Sequence, residues 1–185
     1  MINKRISTQN IALLANILDI LGIAILLFLT FIFQFVYKEL PCPLCLLQRV
    51  GFLMTGVGFL LNLRYGLRAS HYALALFGAL FTAFVALRQM ALHIVPGSSS
   101  YGSSIFGLHM YTWSFVISMA IVLFTAGILG LDTQYSELPK KIRYFNYILP
   151  VLFVVMFLLA ATNLISLVME CGLGQCPDSP TNYLW

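Results

Sequence analysis

An all-α integral membrane protein with five spans is the fold class this sequence predicts, and three observations predict it. Of 185 residues, 61% are hydrophobic and only 9% are charged. The apolar residues gather into runs that reach the ~20 residues a spanning helix needs. Basic residues fall mostly between the runs, where they act as orientation signals. A formal net charge of +4 would suggest nucleic acid in a soluble domain, but here it excludes nothing of the membrane reading, and no nucleic-acid partner is expected.

The first element is an apolar run over residues 11–37, behind a short polar start carrying Lys4 and Arg5. It is too long for a signal-peptide core, so it is expected to stay as the first span. Further spans are predicted over residues 46–63, 73–95, 113–131 and 148–169. Residues 1–170 thus form a transmembrane helical domain, and residues 171–185 an external tail. Lys4, Arg5, Arg64, Arg68, Lys140, Lys141 and Arg143, seven of the ten basic residues, share one face. By the positive-inside rule that face is cytoplasmic, with the N-terminus inside and the C-terminus outside. Cys42, Cys45, Cys171 and Cys176 then all meet the external, oxidising side.

The chemistry centres on Leu40-Pro41-Cys42-Pro43-Leu44-Cys45-Leu46-Leu47-Gln48-Arg49. Proline suits the first turn of a helix, where its missing N–H would be unpaired anyway, so Cys45 is expected in the first turn of the second span. Unpaired amides and the helix dipole favour a thiolate there, and Arg49 lies one turn on, on the same face. Arg49 and Arg88 both sit within the external ends of spans, and two readings stay open. They snorkel to the interface, or Arg49 serves the thiolate and a polar ligand beside it. Gln34, Gln89 and His93 lie at the same depth. Residues 97–104 are small and polar, whereas Ile105 to Trp113 is rich in interfacial aromatics and is expected to lie along the outer surface. His109 within it reads as structural, and Asp19 in the first span receives no role.

In the tail, Gly172 and Gly174 between Cys171 and Cys176 permit the tight backbone of a small disulfide ring. Such an exposed bond is expected to be labile. Six extended residues reach ~20 Å, against a helix spacing of ~10 Å, so Cys176 is within reach of Cys42. A four-cysteine zinc site and two static disulfides are the rival readings, and neither gives Arg49 a task. No metal is expected. A non-enzymatic transporter or metal-binding protein with structural external disulfides is the alternative function.

Cys42-Pro43-Leu44-Cys45 with Arg49 four positions on, Gln34 upstream and the Arg88 to Pro96 stretch closing the third span resemble the bacterial disulfide bond formation protein B (DsbB) family of inner-membrane thiol oxidases. Phe106 to Trp113 adds to the resemblance, which covers roughly the first 130 residues. It implies a core of four transmembrane helices in a bundle, to which this chain adds a fifth transmembrane helix. It also implies a bound quinone, ubiquinone or menaquinone, and a soluble periplasmic thioredoxin-fold partner, DsbA-like. By position, Cys45 resembles the quinone-proximal cysteine, Cys42 its exchanging partner and Arg49 the quinone-binding arginine, with Gln34, Arg88 and His93 around the ring. The chain departs from the pattern in its second cysteine pair. That pair is absent from the loop between spans three and four, and by analogy Cys171 and Cys176 beyond the fifth span take its place.

Overall fold

A computed structural model of the chain describes residues 8–94, 104–135 and 145–172 with Gly174, Cys176 and Tyr183. Lys4, Arg5, Lys140, Lys141, Arg143 and most of the 97–104 segment lie outside the described residues. Among the described residues, five helices are long and apolar enough to cross a membrane. They are α1 (Thr8–Phe35), α2 (Pro43–Tyr65), α3 (Ala69–His93), α4 (Met110–Leu129) and α5 (Phe145–Cys171). Two short strands, β1 (Ser104–Ile105) and β2 (Leu108–His109), pair antiparallel ahead of α4. Helix α4 begins at Met110, three residues ahead of Trp113, and the stretch before it forms this hairpin. Trp113 Nε1 donates to the Ile105 carbonyl at 3.0 Å, which pins this hairpin to the first turn of α4.

Helix α2 is the axis of the packing. It touches α3, α1 and α5, while α4 packs on α3 and α1 scarcely meets α4. Small residues let α2 and α3 approach closely, as membrane helices do when van der Waals packing rather than water drives association. A Cβ placed on Gly58 would lie 2.6 Å from the Ala75 nitrogen, and one on Gly78 would lie 2.6 Å from the Thr55 nitrogen. Both neighbours are backbone and cannot swing aside. Gly78→Val is therefore expected to cost at least about 1–3 kcal/mol by forcing the helices apart. A fall in the thermal unfolding midpoint in detergent checks this, and an unchanged midpoint would count against the close seam.

Far from the cysteines, a buried polar network joins three helices. Asn16 donates to the Tyr72 hydroxyl at 2.9 Å and accepts from Asn62 at 2.9 Å, while Tyr72 donates to Gln134 at 3.2 Å. Asn16, Asn62 and Tyr72 are all fully buried. Each polar atom excluded from water needs such a partner, so the network fixes the register of α1, α2 and α3. Asp19, three residues past Asn16, keeps one buried oxygen without a hydrogen-bond partner.

Successive helices alternate in direction, so the C-terminal ends of α1, α3 and α5 meet the N-terminal ends of α2 and α4. At this end α1 stops in a left-handed turn: Lys38 has φ +56°, and Glu39 N–H bonds the Phe33 carbonyl at 3.2 Å. That closure over seven residues ends the helix and redirects the chain. Here it delivers Pro41 and Cys42 to the start of α2. Gly172, with φ +61° and its N–H on the Val168 carbonyl at 2.9 Å, ends α5 with a shorter five-to-one bond.

Candidate active site

Cys42 is the N-cap of α2, a place usually held by a serine, threonine or aspartate oxygen. Its sulfur accepts the Cys45 N–H at 3.1 Å, and Pro43 follows as the first helical residue. Both sulfurs are free thiols, with Cys42 buried and Cys45 partly covered. Gln89 reaches them from α3. Its amide N–H groups point at Cys42 Sγ at 3.1 Å and Cys45 Sγ at 3.5 Å, while its oxygen accepts from Gln48 Nε2 at 2.7 Å. The hydrogen bond between the two sulfurs, and then burial, push the Cys42 thiol up.

Gln89 was visible in the sequence only as a polar residue at the right depth. Its hydrogen bonds to a sulfur carrying negative charge belong to the class worth about 1.5–3 kcal/mol. Gln89→Leu, which keeps the volume and removes the donors, is expected to slow alkylation of the pair by iodoacetamide at neutral pH about tenfold, since 1.4 kcal/mol is a factor of ten in an equilibrium. Alkylation at the wild-type rate would show that Gln89 does not support the thiolate.

One turn along α2, Arg49 is only 6% exposed, so it does not snorkel to water. Its Nη1 donates to Gln34 Oε1 at 2.6 Å and its Nη2 to the Thr30 carbonyl at 3.3 Å. The guanidinium carbon stands 4.7 Å from the centre of the Phe31 ring, a cation–π geometry. Gln34 in turn donates to the Tyr183 hydroxyl at 3.1 Å, so the tail returns to the mouth of the bundle. Three of these partners lie on α1, and only Gln34 was expected among them.

Between α1 and α4, floored by α2, lies a cavity of about 270 Å³. Cys45, Gln48 and Arg49 line its floor, Thr30 and Gln34 one wall, and Tyr111 and Trp113 the other. Phe33, Phe52 and Ile117 make the rest of the surface apolar, and exposed Leu29 stands at its rim. The volume is just under the ~300 Å³ at which clefts for drug-sized ligands begin, enough for one substituted ring.

His93 and Arg88 are placed differently. The His93 ring stacks behind Tyr111 at 5.4 Å, and its Nδ1 sits 2.8 Å from the Gln89 carbonyl. It touches the site through Tyr111, on whose other side His109 stacks at 5.3 Å. Arg88 is exposed and does not line the cavity. Adjacent residues are about 100° apart on a helix, so the turn that aims Gln89 inward aims Arg88 out.

Cys171 and Cys176 form a disulfide with a Cα separation of 4.4 Å. Cys171 is only 4% exposed, so the bond is less open than its short ring suggested. Among the described residues, no group of three or more metal-ligating side chains comes together.

The family model for Disulfide bond formation protein DsbB matches residues 12–128. The chain belongs to the DsbB family. No curated protein and no solved structure matches it. The matched region holds Gln34, Cys42, Cys45, Arg49 and Gln89, and leaves α5 and the tail pair outside. Membership in the DsbB family makes this a multi-pass membrane oxidoreductase of disulfide bond formation. Glu170 was the residue sequence reasoning passed over at this end. It is fully buried, and the only signal for it was a carboxylate placed next to a cysteine at the end of a span.

Proposed function

We propose that this chain is a quinone-coupled thiol oxidase of the bacterial inner membrane, with all four cysteines at the periplasmic face. The observation that carries the reading is the apolar cavity whose floor holds Cys45 and Arg49 side by side. Its walls fit a lipid-soluble ring, and its few polar groups converge at one end, as ring-binding sites require. Ubiquinone or menaquinone from the membrane pool, when bound, supplies an acceptor for two electrons and two protons.

Cys45 faces that cavity and Cys42 lies behind it, so Cys45 is the sulfur that passes electrons on and Cys42 the one that exchanges with the tail. Arg49, held by Gln34 and Thr30, is fixed where negative charge develops on a ring oxygen and needs no reorganisation to meet it. Tyr111 orients the ring from α4, with His93 packed behind it. A reduced, soluble thioredoxin-fold oxidase of the DsbA kind attacks the Cys171–Cys176 disulfide. The resulting tail thiols reduce Cys42–Cys45 through a mixed disulfide. Arg64 and Arg68 lie at the opposite end of α2 from Cys42, consistent with a cytoplasmic face there.

The test is to reduce the purified full-length protein, remove the reductant, add ubiquinone-1 or menaquinone-1, and trap thiols with time. Both cysteine pairs are expected to lose their free thiols. Constant thiol content with either quinone would refute the reading.

A further inference from the structure

Glu170 is fully buried in the last turn of α5, and neither carboxylate oxygen has a hydrogen-bond partner among the described residues. A buried carboxylate without donors is costly, and one kept in a protein of this size calls for a reason. Its surroundings supply one. It precedes Cys171 of the tail disulfide, and it lies within electrostatic reach of Arg49 and Cys45 on α2. The other helix packed on α5 is α1, which brings the uncharged Gln34 and Thr30 to Arg49. Its own acid, Asp19, lies ~22 Å along the helix from Gln34 at 1.5 Å per residue. From the tail, Tyr183 comes near Arg49. Glu39 lies at this end too, lining the cavity just ahead of Cys42 in the chain; Glu170 is the buried carboxylate next to the tail disulfide, with its oxygens open.

We infer that Glu170 is the proton carrier of the exchange between the pairs: it takes the proton of the attacking tail thiol and returns it to the sulfur that leaves. The inference rests on the two-pair relay proposed above. In the first half of the step, a tail thiol loses its proton to the Glu170 carboxylate. Its sulfur bonds to one sulfur of the Cys42–Cys45 disulfide, and that S–S bond breaks. The departing thiolate takes the proton from Glu170. In the second half, the remaining tail thiol gives its proton to Glu170 and attacks the mixed disulfide. Cys171–Cys176 closes and the last thiolate is protonated. Two electrons and two protons have then moved from the tail to Cys42 and Cys45, with no other reactant. The structure holds the state this leaves, with the tail oxidised, Cys42 and Cys45 as thiols, and Glu170 unbonded.

The experiment uses the full chain in lipid nanodiscs, fully reduced, then mixed with ubiquinone-1. Samples are quenched in acid at intervals, alkylated, and each pair is read by mass spectrometry between pH 6 and pH 8. In the wild type, Cys42 and Cys45 are expected to oxidise first and the tail pair to follow, at a rate that levels off as pH rises instead of climbing throughout the range. In Glu170→Gln, tail oxidation is expected to fall about 10²-fold near pH 6.5, the scale of lost general acid–base catalysis. Its rate should then climb about tenfold per pH unit, because only thiols already ionised in solution react. Glu170→Asp, which keeps a carboxylate, should retain the levelling profile at a lower rate. Wild-type protein whose first pair ignores the quinone, or whose tail never follows, would overturn the relay itself. A working wild type with Glu170→Gln equally fast, or slowed by the same factor at every pH, would overturn the role of Glu170 alone. Should Glu170→Gln fail to fold, Glu170→Asp decides: a profile that levels off upholds the role, and a tenfold rise per pH unit throughout the range overturns it.

Discussion

Cys45→Ser is expected to leave a folded chain that no longer oxidises thiols with quinone. Serine is close in size to cysteine and keeps the backbone N–H that the Cys42 sulfur accepts at 3.1 Å, so the cap of α2 survives. Stability should therefore change by no more than about 1 kcal/mol. The chemistry cannot survive, because a hydroxyl neither ionises near neutral pH nor forms the sulfur–sulfur bond that stores two electrons. A fall of about 10⁴-fold or more is expected, the scale on which removing a nucleophile acts. A second signature separates this from general damage. With no Cys45, Cys42 has no partner with which to form the disulfide that the tail thiols reduce, so a reduced tail pair should stay open to alkylation after quinone is added, in protein whose unfolding midpoint is near that of the wild type. Quinone-dependent thiol loss at the wild-type rate in Cys45→Ser would remove Cys45 from the electron path.

Arg49→Met separates the two readings that the sequence left open. An arginine that merely snorkels can be replaced by an apolar residue of similar length with little effect on turnover. One that meets developing charge on the ring cannot, and losing a preorganised donor costs about 10²–10³-fold in rate. The burial of Arg49 and its bonds to Gln34 and Thr30 favour the second outcome. Stability should move less than rate. The Gln34 oxygen loses its partner at a cost of about 1–3 kcal/mol, offset in part because a desolvated charge is also removed. Arg49→Lys should recover only part of the rate, since an ammonium is a point charge without the planar fork. Initial rates against ubiquinone-1 concentration, with unfolding midpoints alongside, check both variants. Unchanged rates in Arg49→Met would leave the cavity without an electrostatic function.

Gln89 and Gly78 act on the same site from a different direction. Gln89 meets the sulfurs because Gly58 and Gly78 let α3 lie against α2. A substitution that widens this seam is expected to loosen the Gln89 hydrogen bonds as well as lower stability. The packing of two helices and the behaviour of two thiols are one variable here.

Much of the molecule was legible in the chain itself. Five apolar runs can do little else in a bilayer, where each backbone polar group must be satisfied within its own segment. Helix number and alternation follow from that. Within the site, Cys42, Cys45 and Arg49 were readable as a unit, because residues three and four apart share a helix face whatever surrounds them. Arg88 was read as a partner from its depth and from the resemblance of the stretch it opens, and neither says which way a side chain points.

What the sequence determined by itself is local: the spans, the capped start of α2 and the spacing of its sulfurs from a guanidinium. What only the tertiary structure decided is which residues from other helices complete that turn: Gln89 from α3, Thr30 and Gln34 from α1, Tyr111 from α4, Glu170 from α5 and Tyr183 from the tail. The reason is physical. Periodicity fixes the face of a helix against its own axis, whereas the rotation and separation of neighbouring helices follow from the summed fit of small residues such as Gly58 and Gly78, which no single stretch of chain encodes.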